Sequence, residues 1–435
     1  MIGARGAAGF AIALAFPVAA QQVAPVVGPP SPDAQAQVVE GTPPPGVNPK
    51  LFEAVDRATS DYPAIESGRT SVRAATAEVS AAKSLRLPSL GVQGVALGTG
   101  PGLGSQLVVD QPIYTFGRIG AAIDRAKAEK LARAAQVDEV VQQVALDVVD
   151  SYFDIARLAQ RKRILDANLE ELRGLVQSIQ NRVEQEVSPD TDLALAQSRF
   201  AQAEQDRAIA ESQQGAAIER LYQFVGDAGY DPGIVPVYDP AVHHPVLPQA
   251  VEEALRCSPQ RERLSAEALV AREEARQVRA SVLPQLSAQF SYNDIIGARA
   301  GLAVTAQTQG GLSDFRRADA ARLRATSAEI DVRTVERQVR EQVRTDMVEN
   351  AAARSQVTAS TTAADSAQRV TDSFLRQFVA GRRTWLDVMN AVREATTSQL
   401  ERSDSEFVAM ASTARLMLRT CRWQPQTRMG GGSYE

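Results

Sequence analysis

The residue types that most often carry catalysis or bind metals are scarce in this sequence. Its only histidines, His243 and His244, are adjacent in a proline-rich stretch. Neighbouring side chains on an extended chain point apart, so this pattern is more typical of a solvated loop than of a metal site. The sequence also has no glycine-rich nucleotide-binding loop, no His/Cys cluster at metal-ligand spacing and no nucleophile with a histidine in reach. We therefore expect no enzyme activity and no cofactor.

Cys257 and Cys421 are the only cysteines. Two cysteines are too few to build a disulfide framework, although they can pair in an oxidising compartment. Sequence alone does not place their Cα atoms within the distance that a disulfide requires. A disulfide and two inert buried thiols are therefore both open at this point.

The charged side chains are many, but their signs are mixed. The formal net charge is -5, and Lys and Arg are interleaved with Asp and Glu along most segments. Because no basic stripe is present, we expect no nucleic acid partner. Aromatic residues make up only 5% of the chain, which favours long thin helices over one thick core.

The stretch 117–187 is the element that must position the rest. It contains no proline and reads as one helix of about 70 residues, on the order of 100 Å long. Apolar residues recur along it at steps of three and four, with one stutter, as in a left-handed coiled coil. These seam residues are Val137, Val141, Val144, Val148, Tyr152 and Ile155 in the first half, and Leu165, Leu169, Leu172, Val176, Ile179 and Val183 in the second.

The chain then repeats its own pattern. An L-x-x-A-V-x-x-A run begins at Leu51 and again at Leu247, 196 positions later. Several coincidences at one offset indicate an internal duplication. Prolines recur at the same offset, Pro63 with Pro259 and Pro88 with Pro284.

After the second proline of each repeat, the periodicity changes from helical to two-residue. Apolar and polar residues alternate in 285–293 and in 299–307, which predicts strands with one apolar and one polar face. Strands of about nine residues are close to the length that crosses a bilayer when tilted. The first repeat is noisier, with Leu90, Val92 and Ala96 on one apolar face and Leu107, Val109, Gln111 and Ile113 on the next.

Short breaks predict that each long helix turns back into a return helix. The long helices are expected at 117–187 and 313–378, and the return helices at 191–225 and 384–420. Pro189 is expected to end the first long helix, with Asp190 to Asp192 capping its return helix, and Gly381 suits a left-handed turn that ends the second.

The predicted organisation has six segments. Arg5, a short apolar core and small residues before Gln21 are typical of a secretory signal peptide. The segments are 1–20, the signal peptide; 21–50, a proline-rich disordered lead-in; 51–228, the first repeat; 229–246, a linker; 247–425, the second repeat; and 426–435, a disordered tail.

Four amphipathic strands leave unpaired edges, which hydrocarbon does not tolerate. Bacterial single-chain barrels start at about eight strands, so several protomers must share one barrel, and three would supply about 12 strands. The expected fold is mainly α with a small β part. Shared among protomers, the duplicated long α-hairpins would make a hollow coiled-coil cylinder continuous with the barrel.

Four kinds of motif together resemble one family. They are the paired L-x-x-A-V-x-x-A openings, the L-P-x-L strand entries at Leu87 and Leu283, the stretch 111–118 (QPIYTFGR) and the stretch 378–390 (FVAGRRTWLDVMN). In this order they are similar to the TolC-type outer-membrane channels, the exit ducts of tripartite efflux pumps and type I secretion systems. The resemblance covers about 51–425. It implies a homotrimer in the cell outer membrane with a large periplasmic part. The duplicated long α-hairpins would form a periplasmic coiled-coil tunnel, and each protomer would give four strands to a shared 12-stranded trimeric transmembrane β-barrel.

The resemblance also implies which residues carry the function. The helix ends form the periplasmic aperture, with Asp192, Arg383, Asp387 and Asn390 as the candidate gate. Asp387 would form a ring of three carboxylates, and Arg383 would pair with Asp192 across the gap. The alternative is that these residues are ordinary caps and solvated charges, worth under about 1 kcal/mol as surface pairs. The turns implied in adaptor docking consist of Val187, Ser188, Pro189, Val379, Ala380, Gly381 and Arg382.

Three residues depart from the family pattern. Ser188 stands where the first repeat usually has Gly, Phe378 replaces a frequent Tyr, and Asn390 replaces a frequent acid. The contacts that hold the family's aperture shut are therefore expected to differ here. From the strand pattern itself, the lipid-facing side chains are expected to be Leu286, Ala288, Phe290 and Tyr292.

The expected function is a passive outer-membrane exit duct. Its expected partners are two further copies of the chain, a periplasmic adaptor (a membrane fusion protein), an inner-membrane transporter of the RND or ABC class, and outer-membrane lipid. The alternative is a periplasmic coiled-coil scaffold or adhesin without a pore, which the helices fit and the alternating strands do not.

Overall fold

The computed structural model describes residues 43–96, 103–233, 235–241, 249–293, 297–306 and 313–425, and every structural statement below concerns these residues. The predicted signal peptide, the lead-in up to residue 42, the histidine pair and the predicted tail lie outside them. So do most of the linker after residue 241 and the glycine-rich loop at 97–102.

The described chain contains two copies of one order of elements: two helices, a β-hairpin and a long α-hairpin. The first copy comprises α1 (Pro49–Asp61), α2 (Pro63–Ser84), β1 (Ser89–Ala96), β2 (Leu103–Tyr114), α3 (Arg118–Glu184) and α4 (Asp190–Val225). The second comprises α5 (Ala250–Cys257), α6 (Pro259–Ser281), β3 (Gln285–Asn293), β4 (Gly297–Thr305), α7 (Ser313–Val379) and α8 (Trp385–Arg419). The predicted duplication is therefore present in the structure.

Helices α3 and α7 have 67 residues each, close to the predicted bounds. Matched prolines begin α2 and α6, where a missing N–H costs nothing because the first turn of a helix leaves its N–H groups unpaired anyway. All six predicted seam residues in the first half of α3, from Val137 to Ile155, are buried. Each such side chain contributes on the order of 1.5–3 kcal/mol by leaving water.

Helix α3 is the spine of the chain. It packs against α2, α4, α6 and α8, and α1 lies across it, whereas α7 packs against α6, α8 and the short α5. Near the sheet, α2, α6 and the adjoining parts of α3 and α7 therefore lie side by side in the order α2, α3, α6, α7. Further from the sheet, each long helix is paired with its return helix.

The largest apolar cluster lies where α1, α3, α4 and α8 meet. Leu51 of α1, Tyr152 of α3, Leu221 of α4 and Met410 of α8 are all fully buried there, and Trp423 beyond α8 closes the cluster by stacking on Phe52. The middle of the rod is thus thickened by contacts between both repeats.

Two predicted boundaries are wrong. The lead-in was expected to extend to residue 50, but α1 begins at Pro49, with Asn48 accepting a hydrogen bond from the Lys50 N–H at 2.8 Å. The linker was expected to begin at residue 229, yet Tyr230 is buried and its hydroxyl donates to the Lys50 carbonyl. One apolar or aromatic side chain in each stretch, Val47 and Tyr230, packs into the core and orders it.

Cys257 at the end of α5 and Cys421 just after α8 form a disulfide, with an S–S distance of 2.08 Å and Cα atoms 6.4 Å apart. The bond connects positions 164 residues apart and fastens the end of the second repeat to its beginning. Arg422 adds an ion pair with Glu253 of α5 at 2.9 Å.

Replacing both cysteines by serine should lower the free energy of unfolding by about 2–5 kcal/mol, because the unfolded chain regains the freedom that a long closed loop removes. Denaturant unfolding of the purified protein, followed by circular dichroism, measures this. Addition of dithiothreitol should reproduce the loss in the wild type and change nothing in the double variant. Equal stability of all four samples would contradict the prediction.

Candidate functional site

The two turns that join the long helices to their return helices have the same geometry. In the second repeat, Gly381 has φ 69°, and the Arg382 N–H donates to the Gln377 carbonyl at 2.8 Å. In the first repeat, Glu186 has φ 56°, and the Val187 N–H donates to the Arg182 carbonyl at 2.8 Å. Gly381 follows Glu186 by 195 positions, the offset that also separates the starts of α4 and α8.

The left-handed turn predicted at Gly381 is confirmed, but the prediction for the first turn is wrong. Helix α3 ends at Glu184, before Pro189, which instead occupies the N-cap position of α4. No side chain caps that helix, and Asp190 and Asp192 lie in its first turn. Their charges still favour the helix N-terminus through the backbone dipoles.

Asp192 and Asp387 occupy equivalent positions, each in the first turn of a return helix and 195 residues apart. Asp387 has a structural partner. The Thr384 hydroxyl accepts from the Asp387 N–H at 3.2 Å and donates to the Asp387 carboxylate at 2.8 Å. The Thr-x-x-Asp spacing that allows this exchange resembles a capping box and was readable in the sequence.

Arg383 does not pair with Asp192 within the chain, contrary to expectation. Its guanidinium lies 3.8 Å from the Asp387 carboxylate, donates to the Gln377 side chain at 3.2 Å and lies over the Phe374 ring, 4.4 Å from its centroid. Asp192 makes no ion pair within 4 Å among the residues that the structure describes. The first-repeat acid is thus left for solvent or for another molecule.

An apolar cluster beneath the turns holds the two helix ends together. Phe378 and Trp385 of the second repeat pack with Ile179 and Ala196 of the first. The Arg182 guanidinium lies 4.5 Å from the centroid of the Phe378 ring and donates to the Phe378 carbonyl at 3.4 Å. Phe378 therefore serves as a packing residue at this point of the chain.

The turn residues project from this cluster into solvent. Val187 and Val379 are 65% and 83% exposed, which is unusual for large apolar side chains. Ser188 is half-buried, and the remaining turn residues, Pro189, Ala380, Gly381 and Arg382, are exposed. Asn390 is exposed one helical turn after Asp387.

Sequence analysis missed one acidic residue near this end of the rod. Burial raises the pKa of the Glu171 carboxyl on α3, and the charge of Asp372 on α7 raises it further. No sequence pattern marks Glu171, since its burial comes from tertiary packing and Asp372 lies about 200 positions away in the other repeat.

Replacing Glu186 by glycine should stabilise the protein by about 1 kcal/mol, because only glycine adopts positive φ without a steric penalty. The matched variant Gly381→Ala should lose a similar amount, since a Cβ there meets no atom within 4 Å and the cost is that of the backbone alone. Denaturant midpoints of both variants test this. Destabilisation by Glu186→Gly would contradict the assignment of strain to that position.

At the other end of the rod, the four strands form one antiparallel sheet in the order β1-β2-β3-β4. Directly paired residues of an antiparallel sheet lie on the same face. The register pairs Val92 with Leu107, Leu107 with Tyr292 and Tyr292 with Ala298, so one apolar row crosses all four strands. The same face holds the four predicted residues, Leu286, Ala288, Phe290 and Tyr292.

Ile113 does not continue this face as predicted. The register shifts between Pro112 and Tyr114, so that Tyr114 pairs with Leu286 and Ile113 lies in a bulge. Proline cannot donate a ladder hydrogen bond, and bulges are one of the places where sheets accept it.

No other part of the described chain covers the apolar face. Leu90, Val92, Leu302 and Val304 are between 69% and 72% exposed, and Phe290 and Tyr292 are 40% and 47% exposed. The opposite face is polar. There, the Asp110 carboxylate accepts hydrogen bonds from Ser287 at 2.9 Å and from Gln289 at 2.7 Å.

Two further observations bound the chemistry. Within the described ranges, no group of three or more His, Cys, Asp and Glu residues is placed to hold a metal ion. No helix in those ranges has the length and hydropathy needed to cross a membrane.

Comparisons with known proteins agree with this geometry. The fold is the one seen in several solved outer-membrane channels. The channel OprN superposes with a TM-score of 0.77 at 16% identity, covering 86% of this chain and 90% of its own. VceC of Vibrio cholerae superposes with a TM-score of 0.74 at 16% identity, covering 85% of this chain and 96% of its own. CmeC of Campylobacter jejuni superposes with a TM-score of 0.73 at 13% identity, covering 86% of this chain and 85% of its own.

A family model matches part of the sequence as well. Residues 54–227, the first repeat, match the family model described as outer membrane efflux protein. The resemblance predicted from the motifs is therefore confirmed, and so is the predicted fold class of long duplicated helices with a small β part. No curated protein sequence matches the chain.

Proposed function

We propose that this chain is the outer-membrane exit duct of a tripartite efflux pump or a type I secretion system. The observation that carries the proposal is the sheet, which has one bare apolar face and one polar face and is attached to two helical hairpins, each with a 67-residue arm. The family match over residues 54–227 supports it. Lipid would cover the apolar face, and the polar face would line the conduit.

The duct is assembled from three copies. Each copy leaves the outer edges of β1 and β4 without a strand partner, and closing the sheet with further copies satisfies those backbone groups. Three copies give about 12 strands, within the range of bacterial barrels. Leu323 and Ile330 on α7 are 63% and 49% exposed and recur at a seven-residue step, which suits packing against α2 of the next copy.

The helix ends form the closable aperture. With threefold symmetry, Asp192 and Asp387 would contribute six carboxylates, and such rings select cations. Arg383 and Thr384 hold Asp387 within its own protomer, whereas Asp192 has no ion pair there. We therefore assign the stronger influence on conducted ions to Asp192.

Transport is passive, and partners supply the energy. A periplasmic adaptor would dock on the exposed turns that carry Val187 and Val379, whose apolar side chains gain from burial. An inner-membrane transporter of the RND or ABC class would drive cargo through the adaptor into the duct.

Replacing Phe290 by aspartate should abolish membrane assembly, since an uncompensated charge would face hydrocarbon. The matched control is Ser291→Asp on the polar face, where the new carboxylate lies opposite Arg299 in the register. Heat-resistant trimers in detergent and flotation with membranes are the measurements. If both variants assembled normally, or if the wild type washed off with salt, the chain would be a periplasmic scaffold without a pore.

The double variant Asp192→Asn/Asp387→Asn should reduce the cation preference of single channels in planar bilayers severalfold, with Asp192→Asn giving the larger share. Asparagine preserves the shape at the Thr384 cap and removes only the charge. Glu204→Gln, an exposed acid on α4, is the control and should leave selectivity unchanged. Unchanged reversal potentials in the double variant would remove both acids from the aperture.

A further inference from the structure

A groove between α6 and α7 opens directly below the sheet and encloses about 810 Å³. Its upper end is apolar, with Leu283 two residues before β3 and Phe315 two residues after the start of α7, both exposed. Further down, its walls carry Arg272, Arg276, Arg279 and Arg322. One end is therefore suited to hydrocarbon and the other to negative charge.

The positive charge of the groove is not neutralised within the chain. Two acids, Asp319 and Glu329, also line it, against four arginines. Arg276 is held by Glu273 at 2.6 Å. Arg272, Arg279 and Arg322 are exposed, and none of them forms an ion pair within 4 Å in the part of the chain that the structure describes.

The groove lies on the same side of the helices as α5. Phe315, Arg322 and Glu329 recur at seven-residue steps on α7, and two further steps lead to Val343, which is buried against α5. In the proposed hollow assembly we place α5 on the outer side, because a helix on the inner side would obstruct the conduit. The groove therefore opens to the outside, next to the base of the sheet.

The first repeat lacks this combination. At the corresponding positions, 195 or 196 residues earlier, Thr76 stands for Arg272, Lys83 for Arg279, Gly120 for Phe315 and Lys127 for Arg322. Lys127 pairs with Asp124 at 3.4 Å. The arginine cluster and its aromatic neighbour are thus properties of the second repeat alone, so each protomer has one such groove.

We infer that this groove binds an anionic phospholipid of the membrane leaflet nearest the helices, and this inference rests on the proposed membrane position of the sheet. Arg279 lies six residues before β3 and Arg322 nine residues into α7, which is about 9 and 14 Å along the helices. Long arginine side chains bring their guanidinium groups back toward the headgroup layer. Guanidinium groups bind phosphate oxygens in pairs, and basic pockets between helices recognise acidic headgroups.

The volume and the apolar upper end select a lipid over a free phosphate. A small anion would need only the arginine end, whereas a phospholipid also places acyl carbon on Leu283 and Phe315. The bound lipid would sit at the junction of sheet and helices and tie the duct to its membrane at that level.

Native mass spectrometry of the full-length trimer in detergent tests the inference, with phosphatidylglycerol and phosphatidylcholine as probes. We expect up to three phosphatidylglycerol molecules per trimer, bound at least tenfold more tightly than phosphatidylcholine. Arg279→Gln/Arg322→Gln should lose this preference by at least tenfold. Arg316→Gln/Arg324→Gln removes the same charge from exposed positions of α7 that do not line the groove, and this variant should bind as the wild type does.

Further outcomes decide against the inference. Equal binding of the two lipids by the wild type, or an unchanged preference in Arg279→Gln/Arg322→Gln, would overturn it. Full displacement of the lipid by equimolar glycerol phosphate would mean that the groove takes a free phosphate. If Arg279→Gln/Arg322→Gln does not assemble, Arg322→Lys is tested instead, because lysine keeps the charge without the planar guanidinium. We expect Arg322→Lys to weaken the preference for phosphatidylglycerol. An unchanged preference in that variant would contradict the inference. Trimer formation and flotation are scored separately, so an inserted trimer without lipid preference fails only this inference, and a protein that neither inserts nor forms trimers fails the proposed function.

Discussion

The architecture depends on backbone hydrogen bonds that a single chain cannot complete. The sheet ends at β1 on one side and at β4 on the other, and its apolar face has no cover within the described chain. Unpaired N–H and C=O groups at such edges cost several kcal/mol each in hydrocarbon. In the proposed assembly, neighbouring copies close these edges. The same copies would then cover Leu323 and Ile330 on α7, which are exposed in a single chain.

The duplication explains why one chain contains two halves that are similar in backbone structure but differ in their side-chain contacts. Glu186 and Gly381 take the same left-handed conformation, and Asp192 and Asp387 take the same place in a first helical turn. Yet Asp387 contacts Thr384 and Arg383, while Asp192 has no ion pair among the residues that the structure describes. Below the sheet, Arg272, Arg279 and Arg322 of the second repeat correspond to Thr76, Lys83 and Lys127 of the first. After the duplication, the two repeats have therefore diverged at the acid of the return helix and at the positions that line the arginine groove.

The sequence determined the elements well because their signals are local. Three-and-four spacing with one stutter predicted α3, and strict alternation predicted β3, each within a few residues of the observed bounds. The matched prolines fixed the starts of α2 and α6. Ile113 was misplaced because one bulge at Pro112 changes which side chains share a face, and alternation alone does not report a bulge. The order at Val47 and Tyr230 was missed because it comes from tertiary packing in proline-rich segments that read as loose.

The candidate site was less predictable, since its contacts join distant residues. The positions of Asp192, Arg383 and Asp387 came from a resemblance. The pair of Arg383 with Asp192 across the gap stays a prediction, and within its own hairpin Arg383 contacts Gln377 and Phe374. The Thr384 cap was encoded in four consecutive residues and could have been read directly. The arginine groove has no local signature, because α6 and α7 contribute its wall from segments about 40 residues apart.

The bond between Cys257 and Cys421 makes residues 257–421 a covalent loop, whereas the first repeat stays an open chain. A single cut by a protease anywhere inside that loop would leave both pieces joined, and the α7–α8 hairpin lies wholly within it. A cut in the α3–α4 hairpin would leave two pieces with no covalent bond between them, so that only packing would hold them together. The two hairpins thus differ in how well they survive a single cut of the backbone, although their helices have similar lengths.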